Sequence, residues 1–290
     1  MQSNNPIFRR SEEFNRGGAN LYGNQTYAGN GAPMGGYGQT TDPSQWSVGT
    51  PGDTGRAPVT TGPMTIDSVV QKTAITIGVV IVTAMATWIL TPEVNPNSDT
   101  ADLGPLFAAV TIGSLGAFAL SMVNSFKRII SPPLVLAFAA LEGVALGAIS
   151  KVFNLFYEGV VVGAVLGTFA AFAGTLAAYK FLNIKVGDKF RRGVIAAVFG
   201  MVGLSLMSLV LNLFGIDLGL FGDGSLGILF ALAGLVLGVF MLILDFDFVE
   251  QGIANRIPES ESWRAAFAMT VSLVWIYTNL LRLLAIFSDN

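Results

Sequence analysis

The chain contains no cysteine and no histidine. Disulfides, Cys/His zinc sites, haem ligation by either residue and Cys- or Ser-His nucleophilic catalysis are therefore excluded. Proton chemistry falls to Asp, Glu, Tyr, Lys and Arg. Charge is also scarce. Charged residues make up 12% of the chain, about half of what a soluble domain carries. The formal net charge of -3 makes no electrostatic case for a nucleic-acid partner.

Apolar sequence takes the place of charge, at 52% of 290 residues. Runs of about 17 to 25 apolar residues recur, each long enough to cross a hydrocarbon core of about 30 Å. Barrel strands would alternate apolar and polar and stop after about 10 residues. The reading is an all-α, polytopic membrane protein with the lipid bilayer as its first partner. Seven spans are expected, near residues 69–90, 103–123, 129–150, 159–179, 193–214, 225–245 and 264–287. Pro132-Pro133 suits the first turn of the third. Glycines at four-residue spacing (Gly143/Gly147, Gly159/Gly163/Gly167, Gly234/Gly238) suit close helix packing in lipid.

Residues 1–65 are a different polymer, rich in Gly, Asn, Ser, Thr, Pro and Gln, with spaced Tyr22, Tyr27, Tyr37 and Trp46. Such a segment buries too little apolar surface to offset its ordering entropy. The expected division is a disordered cytoplasmic tail over 1–65 and a transmembrane domain over 66–290. Arg9 and Arg10 lead into Ser-Glu-Glu with no apolar region behind them, unlike a secretory signal.

Lys and Arg alternate sharply between the two sets of loops. Counting along the sequence, fourteen fall on one side (Arg9, Arg10, Arg16, Arg56, Lys72, Lys127, Arg128, Lys180, Lys185, Lys189, Arg191, Arg192, Arg256, Arg264) and Lys151 alone on the other, with Arg282 inside a span. Basic loops stay in the cytoplasm, so the expected topology is N-terminus inside and C-terminus outside.

Ionisable groups inside spans are costly and usually functional. Glu142 lies ten residues beyond Pro132, about 15 Å along a helix, near the middle of the third span. Asp245 and Asp247 stand at the expected end of the sixth span, in Leu-Ile-Leu-Asp-Phe-Asp-Phe-Val. Two residues are roughly 200° apart on a helix, so one is expected to face the bundle and the other the cytoplasmic surface. Lys127 and Arg128 reach the same expected depth. Arg282, near the outer end of the last span, is long enough to snorkel to the interface.

Three segments together resemble the Bax inhibitor-1 family, most closely its bacterial branch with a long polar N-terminal tail. These are Phe138-Ala-Ala-Leu-Glu-Gly-Val-Ala-Leu-Gly147, Ile-Leu-Asp-Phe-Asp247 and Asn279-Leu-Leu-Arg-Leu-Leu-Ala-Ile-Phe287. The resemblance covers about residues 65–290. It implies six helices around a more polar seventh and a pH-sensitive calcium leak in the plasma membrane. It further implies two aspartates sharing a proton near the cytoplasmic mouth, latched by a basic residue. Asp247 matches the sixth-helix aspartate, with Asp245 the alternative. Lys127 and Arg128 match the latch. Ser272 stands where relatives carry the seventh-helix aspartate, so the second half of the dyad is missing and Glu142 is a candidate substitute.

The leading expectation is a cation (calcium) leak or exchanger, with Asp247 and Glu142 binding or gating the ion. No cofactor is expected beyond calcium or protons as the transported species. The alternative is a non-transporting regulator that binds membrane proteases or stress machinery. An enzyme is not expected: a two-aspartate protease needs paired acids on facing helices, and a retinal protein needs a lysine in the last one.

Overall fold

A computed structural model describes residues 62–93 and 100–288. The expectation for the tail over 1–61 lies outside the described residues. Among them are seven long helices: α1 (Ile66–Leu90), α2 (Thr100–Phe126), α3 (Pro132–Phe156), α4 (Val160–Phe181), α5 (Asp188–Leu213), α6 (Ser225–Ala254) and α7 (Ser262–Ser288). Each is long and apolar enough to cross a membrane.

Local chemistry sets the ends. Thr65 caps α1 and forms a reciprocal capping box with Ser68, satisfying amides that the helix leaves without partners. At its other end, Lys151 Nζ donates to Trp88 O, Thr91 O and Thr91 Oγ1 at 2.7–3.2 Å. A cation there also suits the negative end of the helix dipole. Pro132 and Pro133 open α3 as expected. Gly159 precedes α4 with φ of 84°, a left-handed turn that favours glycine. It therefore serves the turn, not the glycine stripe. Gly163 and Gly167 do line the stripe, facing Leu284 and Leu280 of α7.

The helices overrun several expected ends. The largest difference is at α6, which continues to Ala254, nine residues past Asp245. Phe246, Phe248, Val249 and Ile253 go on packing against Met64, Ala265 and Met269, so the apolar pattern extends the helix. Asp245 is thus about 14 Å inside α6, not at its mouth.

Helix α7 is the centre of the bundle. It packs against α6, α1, α4 and α3, while α2 rests mainly on α3 and α5 on α6. One core cluster joins Leu242 and Phe246 of α6, Val69 of α1 and Ala265, Met269, Leu273 and Ile276 of α7. A second joins Val80, Ala139, Leu146 and Ala164 to Tyr277 and Leu281. Outward faces carry Ile81, Phe107, Phe199 and Leu209, all exposed, as lipid-facing positions should be.

The last four residues of the expected tail, 62–65, are docked. Met64 N donates to Ile257 O at 2.8 Å, and Glu259 N donates to Gly62 O at 2.9 Å. The Met64 side chain is buried against α6 and α7. Ser68 and Ser262 share a hydrogen bond of 2.7 Å, and Lys72 pairs with Glu259 at 2.8 Å. The start of α1 is thereby stapled to the α6–α7 elbow.

Glycine sets the α1–α3 distance. A Cβ on Gly147 would lie 2.3 Å from Ala84 O and 2.9 Å from its Cα. Backbone cannot yield as a side-chain tip does, so Gly147→Ala should destabilise by about 1–3 kcal/mol, read as a lower unfolding temperature in detergent. Gly174→Ala, where nothing lies within 4 Å, should be neutral or slightly stabilising.

Candidate functional site

Helix α7 carries polar groups along the side that faces α6. Ser272 lies ten residues into α7, about 15 Å from its start. Its hydroxyl donates to Asp245 Oδ2 at 2.6 Å. Further along, Trp275 Nε1 donates to Gly234 O at 2.9 Å. Asn279 packs against Gly234, where a Cβ would meet its Oδ1 at 2.2 Å. Arg282 Nη2 donates to Gly227 O at 3.3 Å and to Leu220 O. An acid, an indole, an amide and a guanidinium thus form a polar seam along the α6–α7 contact. Gly227, Gly234 and Gly238 leave the space for it.

Asp247 looks the other way. Arg191 Nη2 pairs with its Oδ2 at 2.8 Å, and Gln251 Nε2 donates to the same oxygen at 2.7 Å. Asp247 is only 7% exposed, so the expected cytoplasmic-surface acid is instead buried against α5. Beside it, Tyr179 donates to Glu250 Oε2 at 2.5 Å. Phe246 packs edge-on against Phe172 and tilted against Tyr179. Together these join α4, α5 and α6 at the end of the bundle where α1 begins.

The geometry thus redistributes the sequence-read site. Ser272 meets Asp245 and not Asp247, because the 200° between the two acids turns one to α7 and the other to α5. The cation on Asp247 is Arg191, from the first turn of α5. Lys127 and Arg128 instead present their backbone carbonyls to Arg264 Nη2, at 3.4 and 2.8 Å. Sequence reading placed Arg191 in a loop; the basic run Lys189-Phe-Arg-Arg192 directly before an apolar helix was the available signal.

Glu142 is half-buried and has no hydrogen bond or ion pair among the described residues. It shares a helix face with Phe138 and Leu146, four residues either side. Phe138 meets the Phe267 ring edge-on at 5.0 Å, and Leu146 packs with Tyr277 and Leu281. Glu142 therefore faces α7 at the level between Phe267 and Tyr277, the stretch that also holds Ser272. It does so from the opposite side. Ser272, Ile276 and Asn279 face α6, whereas Phe267, Tyr277 and Leu281 face α3. A helix about 10 Å across stands between Glu142 and Asp245, so they flank α7 without forming a dyad.

Seven apolar helices, a polar central one and a sixth-helix acid turned onto it are the features expected of one family. A family model described as Bax inhibitor 1 like matches residues 5–289. The chain belongs to the Bax inhibitor 1 like family. The match covers the whole described bundle and runs far into the polar tail, beyond the 65–290 over which the motifs were read. None of the curated proteins matches the chain.

Among the described residues, no three His, Cys, Asp or Glu side chains cluster as a metal cage. The oxygen donors stand singly: Asp245 with the Ser272 hydroxyl, Asp247 with Gln251, and Glu142.

The Arg191–Asp247 pair ties α5 to α6. Removing its cation leaves a buried carboxylate with Gln251 alone. Arg191→Met should lower stability by about 1–3 kcal/mol, against little change for the exposed Arg192→Met. The loss should be smaller in an Asp247→Asn background. Unfolding temperatures of wild type, the three single variants and the double variant, purified in one detergent, check this.

Proposed function

We propose that this membrane protein is a cation leak, calcium being the ion that the family resemblance favours, with its rate set by carboxylates inside the bundle. The observation that carries the reading is the Asp245–Ser272 contact. It places an ionisable group two-thirds of the way along α6, hydrogen-bonded to the central helix. Acids held inside spans mark ion and proton paths far more often than they serve as plain packing. All available ligands are oxygens, which suits a hard cation. Arg191 occupies Asp247 as an internal cation, in the role that sequence reading gave to Lys127 or Arg128. An incoming cation must compete with it. Glu142 supports the path from the far side of α7. The basic end of the bundle lies in the cytoplasm on this reading, because basic loops resist translocation.

The test is calcium flux into proteoliposomes on both sides of neutral pH. Asp245→Asn should change flux severalfold and Glu142→Gln by less. Wild-type flux indistinguishable from empty liposomes, from protein shown to be folded, would sink the leak. Ser272→Asp gives a sharper check. Two carboxylates within hydrogen-bond reach cannot both ionise cheaply and so share a proton. The variant should therefore show a steeper pH dependence of flux than wild type.

A second reading has its own observation. The strap over 62–65 fastens the tail to the α6–α7 elbow, so a protein that bound the tail would pull on the helices carrying Asp245 and Ser272. A regulator of membrane proteases or stress machinery would work this way. Deleting residues 1–60 should abolish a regulatory phenotype on this reading and leave flux unchanged on the first.

A further inference from the structure

We propose that Arg282 closes the far end of the α6–α7 seam and sets its barrier to cations, by holding the 214–224 loop down over it. The inference extends the leak reading to the opposite mouth. Arg282 is a cation six residues, nearly two turns, from the end of the central helix, yet it does not reach outward. Its guanidinium lies over the Phe221 ring at 5.0 Å and the Phe230 ring at 5.9 Å, and these two rings pack edge-on at 5.7 Å. Nη2 donates to Leu220 O in the loop and to Gly227 O in α6. Nε is buried without a partner among the described residues. A guanidinium is spared that environment when it has water to reach for; here it is spent on holding a loop.

The loop has little else to hold its second half. Ile216 N bonds Leu211 O, while the Gly219 and Gly222 amides bond within the loop, to Asp217 and Gly219. On its α5 side lies a cavity of about 450 Å³ bordered by Ser205, Ser208, Asn212, Asp217 and Phe221. Among the described residues, the recorded hydrogen bond from Leu220 to the bundle is the one made by Arg282. On the α6 side the loop sits directly on Gly227, where a Cβ would fall 1.8 Å from Gly222 O. A cation following the seam from Asp245 past Asn279 meets this guanidinium last. A positive charge flanked by apolar rings repels it, although Asp223 of the same loop lies within electrostatic reach and offsets part of that charge.

Two substitutions separate latch from fold. Arg282→Met keeps an apolar stem but removes charge and latch. Gly227→Ala keeps the Arg282 charge and pushes Gly222 O, and with it the loop, away, although its Cβ would also lie 3.2 Å from Arg282 Nη2. Amide hydrogen exchange over 216–224 and calcium flux are measured on both, beside wild type, in the same lipid. The inference expects faster exchange in both and a severalfold rise in flux, larger for Arg282→Met. Unchanged loop exchange in Arg282→Met overturns the latch. Faster exchange with flux no higher than wild type overturns the closure. If Arg282→Met fails to fold, Gly227→Ala alone decides by the same two readings. A silent wild type would count against the leak reading, but flux appearing in either variant would still support closure by Arg282, and flux in neither would overturn it.

Discussion

Within a hydrocarbon slab, every polar group must find its partner inside the protein, because no water is present to supply one. Helix α7 carries more such groups than any of its neighbours, and this decides where it sits. Thr270, Thr278 and Asn279 return their donors to carbonyls of their own helix. Ser272, Trp275 and Arg282 find theirs on α6 or the loop before it. On the other side, the Ser150 hydroxyl donates to Leu146 O and shares a 2.6 Å hydrogen bond with Tyr277. A helix with polar groups on two faces cannot lie at the edge of the bundle. It has to be surrounded, and the more uniformly apolar helices surround it.

The same constraint sorts the three embedded acids. Asp245 is answered by a hydroxyl, Asp247 by a guanidinium and an amide, and Glu142 by nothing recorded among the described residues. They differ accordingly in what each contributes. The Asp247 cluster joins helices and lies near the end of the bundle, with Arg191 partly in solvent, where the ion pair is weakened by screening. Asp245 lies deeper, and its hydroxyl partner brings no charge. Glu142 stands on a wall of small and apolar residues. Acids that hold helices together have partners of opposite charge; an acid that must meet a passing ion is better left with neutral ones.

The fold was largely legible because hydropathy, helix length and the alternation of basic loops all act over whole segments. Seven spans followed from these alone, while the more polar last helix was implied by the family resemblance. What the sequence hid was angular. Asp245 and Asp247 differ by two positions, and an apparent helix end at Asp245 concealed nine further helical residues, so the choice between them turned on packing that Met64, Phe246 and Ile257 supply. Arg191 looked like a loop residue for the same reason. Arg282 was visible, but the direction of a long side chain is set by what lies within reach, and here a loop carbonyl and two aromatic rings outcompete the interface. Glu142 falls near the middle of α3, while the side of α7 it faces depended on α3 meeting that helix through Phe138 and Leu146.

Replacing an aspartate with serine at position 272 alters the physics more than the geometry. Two facing carboxylates repel and share a proton, so their occupancy changes over a narrow pH range and can drive a conformational switch. A hydroxyl facing a carboxylate donates one hydrogen bond and asks for no shared proton. The contact still joins α6 to α7 at 2.6 Å, so the helix pairing of the family survives without its electrostatic spring. Beside the Lys72–Glu259 and Arg264–Glu261 pairs, the described structure gathers Arg191, Asp247 and Glu250 close to water, with Tyr179 joining the last of these to α4. Removing the Asp247 charge, as Asp247→Asn does, frees Arg191 and with it the tie between α5 and α6. Helix α5 rests mainly on α6, so it is the helix with least to lose by moving.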